Sequence, residues 1–222
     1  MTGAPIEIPV EGGAALPGLW TASDGDGCLV VLAHGAGSGM QSGFLEGFAA
    51  EMAALGHPVL RFDFPYMAAG RRAPDRPQVL IASWLAASAE ARRRAGARPV
   101  AVGGKSMGGR IASMAAAEGM PAAALLFLGY PLHPPGRPEQ LRDAHLASVT
   151  APMLFVQGTR DVFARPDLLH AVIDRLGRRA TLIEVTDADH SFKIRGERRD
   201  ARQIGASLAP AAARFLAERA IT

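Results

Sequence analysis

Short apolar runs alternate with amphipathic stretches along most of this 222-residue chain. Cys28-Leu-Val-Val-Leu-Ala33, Pro58–Phe62, Pro99–Gly103, Ala122–Leu128, Met153–Gln157 and Ala180–Val185 are brief and mostly apolar, without strict alternation. Strands covered on both faces have that composition, because neither face meets water. Between them, apolar residues recur every three or four positions, as on the buried stripe of a helix. Residues 43–55 carry Phe44, Leu45, Phe48, Met52 and Leu55 in this spacing, and residues 79–95 carry Leu80, Ile81, Trp84 and Leu85. Further helices are predicted over 107–118, 166–176 and about 200–219, the last with Ile204, Leu208, Phe215 and Leu216 inward. Gly56, Gly96 and Gly177 stop helices, and Pro166 opens one at a position where its missing N–H does no harm. Strand–helix alternation from Cys28 onward predicts an α/β fold, a mostly parallel sheet with helices on both faces. Ahead of it, Ile6–Val10 and Ala14–Trp20 flank Glu11-Gly12-Gly13 and read as an edge hairpin, with Pro9 and Pro17 at edge positions. Residues 63–77 and 129–146 are proline-rich and read as loops at strand ends, where functional loops gather.

Composition narrows the function. With 49% apolar and 20% charged residues, the chain can bury the core of a single domain spanning 1–222. Its formal charge of +3 rests almost wholly on arginine; Lys105 and Lys193 are the only lysines. Arginines fall in short groups such as Arg92–Arg94, Arg178-Arg179 and Arg198-Arg199, without interleaved aromatics, so they read as solvated faces and not as a nucleic-acid surface. Cys28 stands alone, which excludes an intrachain disulfide. Met1–Glu7 lacks the basic-then-apolar pattern of a leader, and no apolar run approaches the ~20 residues that span a bilayer. The expectation is a cytoplasmic protein without a membrane partner. No His, Cys or carboxylate cluster has metal-ligand spacing, so neither metal nor cofactor is expected.

Chemistry concentrates at Val100-Ala-Val-Gly-Gly-Lys-Ser-Met-Gly-Gly-Arg110, a strand running through a glycine-rich turn into a helix. Gly104-Lys105-Ser106-Met107-Gly108 matches G-x-S-x-G, in which a sharp turn holds the serine hydroxyl above the sheet. The pentapeptide alone is weak in a chain with 25 glycines, where it also fits a tight turn capped by a serine. Its context strengthens it. A serine nucleophile needs a base, and the base an orienting group. Asp161 follows the strand ending near Gln157, and His190 follows the strand ending near Val185, so Ser106, Asp161 and His190 all fall at strand ends in the order Ser…Asp…His. Asp187 and Asp189 lie close to His190 in sequence, but so near a carboxylate rarely reaches the ring in fixed geometry; Asp189 suits a turn cap and Asp187 a solvated position. Oxyanion donors would come from the amide of Met107 and from the His34-Gly-Ala-Gly37 turn, at Ala36 or Gly37.

Other candidates are less defined. His34 suits a structural hydrogen-bonder for that turn as well as a substrate contact. His133 in the long loop, and Arg71-Arg72 after the strand ending at Phe62, are further candidates for substrate binding beside ordinary loop roles. His57, His145 and His170 read as packing or surface residues. Lys105 is expected to face away from the cleft, because neighbouring residues at such a turn diverge. A P-loop reading of Gly104-Lys105-Ser106 fails, since its first glycine would fall at Pro99.

These residues resemble the α/β-hydrolase superfamily from Cys28 to Phe215. More narrowly, Leu32–Gly39, Arg61–Tyr66 with Gly70-Arg-Arg72, Gly103–Arg110, Gly129–Gly136 and Val156–Asp161 look like the small, lidless, dienelactone-hydrolase-like branch. That branch includes the hydrolase-like domain of the non-specific-lethal complex subunit 3 and the testis-expressed protein 30 group. The resemblance implies an eight-stranded sheet with strand 2 antiparallel, no lid domain, and Ser106, Asp161 and His190 as triad. Dienelactone hydrolases proper carry a cysteine where this chain has Ser106, so lactone specificity does not transfer. Two functions follow as expectations. One is a serine hydrolase for a small carboxylic ester, thioester or lactone; the other is a hydrolase-like interaction scaffold, which a displaced His190 or a plugged cleft would favour.

Overall fold

A computed structural model describes residues 3–220. Met1, Thr2, Ile221 and Thr222, and with them the start of the leader-free N-terminal reading, lie outside the described residues. Among the described residues, eight strands form one sheet: β1 (Ala4–Ile8), β2 (Leu16–Thr21), β3 (Leu29–Ala33), β4 (Val59–Phe62), β5 (Val100–Lys105), β6 (Ala124–Leu128), β7 (Met153–Gly158) and β8 (Ala180–Val185). Their spatial order is β1-β2-β4-β3-β5-β6-β7-β8. β1 and β4 both run antiparallel to β2, and every pair from β4 to β8 is parallel. This is the α/β-hydrolase fold.

Among the described residues, six α-helices are present: α1 (Gly43–Ala54), α2 (Pro65–Ala68), α3 (Pro77–Ala95), α4 (Met107–Ala117), α5 (Pro166–Leu176) and α6 (Ala201–Arg219). Successive residues of a strand point to opposite faces, and the core divides accordingly. Leu29, Val31, Val102, Phe127 and Phe155 meet α3, α4 and α5, whereas Val30, Leu32, Leu126, Leu154 and Val156 meet α1 and α6. Asp200 starts α6 with a reciprocal capping box: its side chain accepts the Gln203 amide at 2.8 Å, and its own amide donates to Gln203 Oε1 at 3.0 Å. No helix among the described residues is long and apolar enough to cross a membrane.

Three details depart from the sequence reading. The edge strand is β1, and Pro17 lies in β2, inside the sheet. It is tolerated because the β2–β4 register begins at Gly18, so Pro17 supplies only its carbonyl, which accepts the Asp63 amide at 3.1 Å. Leu85 is exposed, because the buried stripe of α3 runs through Ile81, Trp84, Ser88, Ala91 and Ala95 and passes it by. The two predicted loops also carry short helical turns, α2 in 63–77 and a 3-10 turn at Ala144–Ser148 in 129–146.

Candidate active site

The turn between β5 and α4 is forced by backbone crowding. A Cβ on Gly104 or on Gly108 would run into the same Ala33 carbonyl oxygen of β3, and Gly104 also sits at φ +149°. Both outer glycines of G-x-S-x-G are therefore demanded by one neighbouring strand end. Ser106 between them adopts φ 50° and ψ −116°, a conformation that strains any residue with a Cβ. Its hydroxyl stands at the N-terminus of α4, whose first-turn amides, Met107 first, have no acceptor within the helix. The positive end of the helix dipole points at the same spot.

His190 reaches Ser106 from the turn after β8. Its Nε2 lies 2.9 Å from Ser106 Oγ, and its Nδ1 lies 2.6 Å from Asp161 Oδ2. That turn is built locally. Asp187 and Phe192 take left-handed conformations, Ala188 bridges Ile194, and Asp189 Oδ1 accepts the Ser191 and Lys193 amides at 2.8 and 2.9 Å. Asp189 is the turn cap and Asp187 is exposed, as their sequence positions suggested. Asp161 is 5% exposed and accepts three bonds: from His190, from Gln157 Nε2 at 2.6 Å and from the Phe163 amide at 2.8 Å. Gln157 is itself fixed, its Oε1 accepting the Tyr130 amide at 2.8 Å. The carboxylate thus holds Nδ1 protonated and Nε2 free to accept the serine proton. Gln157 escaped the sequence reading, although a polar residue ending the apolar Met153–Gln157 run was a signal.

Ser106 and His190 open into a cleft of about 660 Å³, also lined by Gly35, Ala36, Phe44, Met107 and Phe163. The volume suits a small ligand. Phe163 packs on the His190 ring at a centroid distance of 4.4 Å. Ala36 and Met107 both line the cleft beside Ser106. Gly37, the other donor named from sequence, is not among the residues lining the cleft.

None of the four residues named for substrate binding lines the cleft. His34 is fully buried, with Nδ1 donating to the Gly35 carbonyl at 2.8 Å and Nε2 accepting the Phe64 amide at 3.2 Å. Burial lowers its pKa, against the partial support of the Gly35 carbonyl and the Asp63 charge, so the ring is a neutral brace for the turn carrying Ala36. His133 is buried too; its Nδ1 faces the Pro134 carbonyl at 2.9 Å, and its Nε2 accepts the Arg165 amide at 3.0 Å, tying the long loop to the segment after Asp161. Arg71 bonds Asp75 at 2.7 Å on the surface, and Arg72 is exposed.

A second serine–histidine contact has the wrong polarity. Ser113 Oγ lies 2.8 Å from His145 Nε2 but already donates its proton to the Arg110 carbonyl at 2.7 Å. His145 must then donate to Ser113 and cannot act as its base. Burial, and then the Arg110 charge, push His145 down to about 4, consistent with a neutral packing pair.

Lys105 overturns an expectation. Its backbone diverges from Ser106 as the turn requires, but the cleft extends to that face of the sheet. The side chain lines the cleft, and its buried Nζ has no hydrogen-bond partner among the described residues. The ammonium lies 5.5 Å from the Phe192 ring centroid and 6.0 Å from that of Phe44. Burial pushes it down to about 8, partly offset by Asp161 and Asp189. The unfolded chain holds this proton up to its ordinary value of 10.5, so folding below pH 8 carries a penalty on the order of 3 kcal/mol. Between pH 8 and 10.5 the unfolded state binds more protons, and the penalty fades as pH rises. Lys105→Met is therefore expected to raise the unfolding midpoint by several degrees at pH 7 and by much less at pH 10.5, in paired thermal melts. A gain independent of pH would show that the ammonium is not the cause.

Among the described residues, no group of three or more His, Cys, Asp or Glu side chains could hold a metal ion. Residues 26–217 match the family described as an alpha/beta hydrolase domain. The fold is similar to that of dienelactone hydrolase from Anabaena variabilis, with a TM-score of 0.77 at 21% identity over 98% of this chain and 97% of that one. It is similar to a lidless α/β serine hydrolase from Xanthomonas campestris (TM-score 0.71, 20% identity, 96% of this chain and 94% of that). It is also similar to a cold-adapted esterase from an Arctic intertidal metagenomic library (TM-score 0.67, 18% identity, 97% and 92%). At these identities the likeness is one of fold.

Proposed function

The chain belongs to the alpha/beta hydrolase domain family, and from that premise we propose that it cleaves a small carboxylic ester, thioester or lactone through an acyl-enzyme on Ser106. The observation that carries this reading is the relay Ser106–His190–Asp161, at 2.9 and 2.6 Å, open to the cleft. In this reading Ser106 Oγ attacks the carbonyl carbon as His190 Nε2 takes its proton. Asp161 stabilises the imidazolium. The tetrahedral oxyanion sits between the amides of Met107 and Ala36, each such donor contributing about 3 kcal/mol in comparable sites. His190 then returns the proton to the departing alkoxide or thiolate, and water repeats the sequence to release the acid.

The scaffold alternative has no support in the geometry, because His190 is in reach of Ser106 and the cleft is open. The similar structures described as an esterase and a dienelactone hydrolase fit ester or lactone chemistry. The narrower motif likeness to the non-specific-lethal subunit 3 group adds no substrate. A cytoplasmic location belongs to the same reading.

A fluorophosphonate probe tests it. The folded protein is expected to be labelled at Ser106 and to hydrolyse 4-nitrophenyl acetate. Intact, folded protein that neither takes the label nor turns over a short ester would overturn the proposal.

A further inference from the structure

The cleft has a one-sided charge. Lys105, Arg110, Arg142 and Lys193 line it, and among the described lining residues there is no Asp or Glu. Nearby carboxylates are already engaged. Asp161 serves His190, Gln157 and the Phe163 amide, Asp189 caps its turn, and Asp143, next to Arg142, pairs with Arg175.

Two of these cations, Arg110 and Arg142, share the cleft with Ser106. Arg110 lies four residues after Ser106, one turn along α4, and both line the cleft. Arg142 comes from the long β6–β7 loop, which also brings Pro131 to the cleft. Neither makes an ion pair among the described residues, and Arg110 Nε is buried without a partner. Burial holds the Arg110 guanidinium below its ordinary value, with Tyr130 acting the other way and the Arg142 charge adding to the lowering. Like charges do not gather of their own accord; here the backbone imposes it. The Arg142 amide donates to the Leu132 carbonyl at 2.8 Å, and its own carbonyl accepts the Tyr130 hydroxyl at 2.7 Å. The fold therefore brings two arginines without a carboxylate partner to one cleft, and their planar donor forks suit the oxygens of a carboxylate or phosphate.

We propose that Arg110 and Arg142 form an oxoanion subsite, and that the substrate is an ester or thioester carrying a carboxylate or phosphate group as well as the scissile carbonyl. This deepens the hydrolase reading and rests on it for the word substrate; the subsite itself does not. Arg110 and Arg142 are specificity residues here, while Lys105 and Lys193 add to the positive field that draws an anion in.

Two measurements decide it. In the first, wild-type kcat/KM is compared for 4-nitrophenyl pentanoate, mono-(4-nitrophenyl) glutarate and a 4-nitrophenyl ester of matched length ending in a phosphonate. An anionic ester is expected to be favoured by about tenfold or more over the neutral one, as for hydrogen bonds to a charged group. High salt and each of Arg110→Gln and Arg142→Gln are expected to pull that ratio toward unity, mostly through KM, with Arg142→Lys keeping part of it. Which anion gains more separates carboxylate from phosphate. In the second, glutarate monomethyl ester is titrated calorimetrically into Ser106→Ala, where binding is expected to weaken about tenfold when Arg110→Gln is added. Turnover without charge preference, or a preference that survives both glutamine variants, overturns the subsite and leaves the hydrolase reading standing. Anion binding that depends on Arg110, without turnover of any ester, upholds the subsite and overturns the hydrolase reading.

Discussion

Ser106→Ala is expected to lower kcat/KM for 4-nitrophenyl acetate by roughly 10⁴- to 10⁶-fold while leaving the fold intact. The hydroxyl accepts no structural duty in the turn, whose path is set by Gly104 and Gly108 against the Ala33 carbonyl. Removing Oγ therefore deletes the proposed nucleophile and little else. A second substitution adds a stability readout. Ser106 sits at φ 50° and ψ −116°, where a Cβ costs on the order of 1–3 kcal/mol. Alanine keeps that Cβ and glycine does not. Ser106→Gly is thus expected to be equally inactive yet more stable by about 1 kcal/mol, after allowing for the greater freedom of glycine in the unfolded chain. Denaturant melts of the three proteins check this. Strain concentrated on the proposed nucleophile is what separates an active turn from a merely tight one. A glycine variant no more stable than wild type would mean the turn is relaxed. A folded alanine variant that retained turnover would remove Ser106 from the chemistry altogether.

The reach of the sequence ends where backbone contacts distant in the chain take over. Ser106, Asp161 and His190 were legible because each follows a short apolar run, and parallel strands deliver their C-terminal ends to one edge of the sheet. The turn cap at Asp189 was legible for a similar, local reason. Arg110 and Arg142 were not. Arg110 is one of many arginines on a helix, and Arg142 enters the cleft only because the 129–146 loop is pinned by the Tyr130 hydroxyl and by His133 to the Arg165 amide, 32 residues away. No periodicity encodes such ties. Lys105 failed for another reason. Neighbouring Cα positions diverge at such a turn, but four methylenes carry an amine far from its backbone, and the cleft extends to the α1/α6 side. His34 and His133 show the converse: histidines in strand-end loops attract functional readings, and here both ring nitrogens are spent on backbone partners.

Asp161→Asn is expected to reduce kcat by about 10⁴-fold with little change in the position of the ring. The wild-type carboxylate accepts on both oxygens, Oδ1 from the Phe163 amide and Oδ2 from Gln157 Nε2 and His190 Nδ1. An asparagine can keep its carbonyl oxygen toward the Phe163 amide, which has only a proton to offer. Its NH₂ then occupies the Oδ2 position and donates to His190 Nδ1. The proton on the imidazole must move to Nε2, which can no longer accept from Ser106 Oγ at 2.9 Å. The same NH₂ also faces the Gln157 amide nitrogen, held in place because Gln157 Oε1 serves the Tyr130 amide. Two donors meeting in a buried place destabilise the fold, by about 1–3 kcal/mol for a lost buried bond. Activity and stability should therefore fall together at this position. Asp187→Asn is the contrasting variant: that side chain is exposed, and activity within about twofold of wild type is expected, as for a surface position. Comparable losses at both positions, in kcat and in the denaturant midpoint, would place the orienting carboxylate in the His190 turn itself and would break the assignment of Asp161.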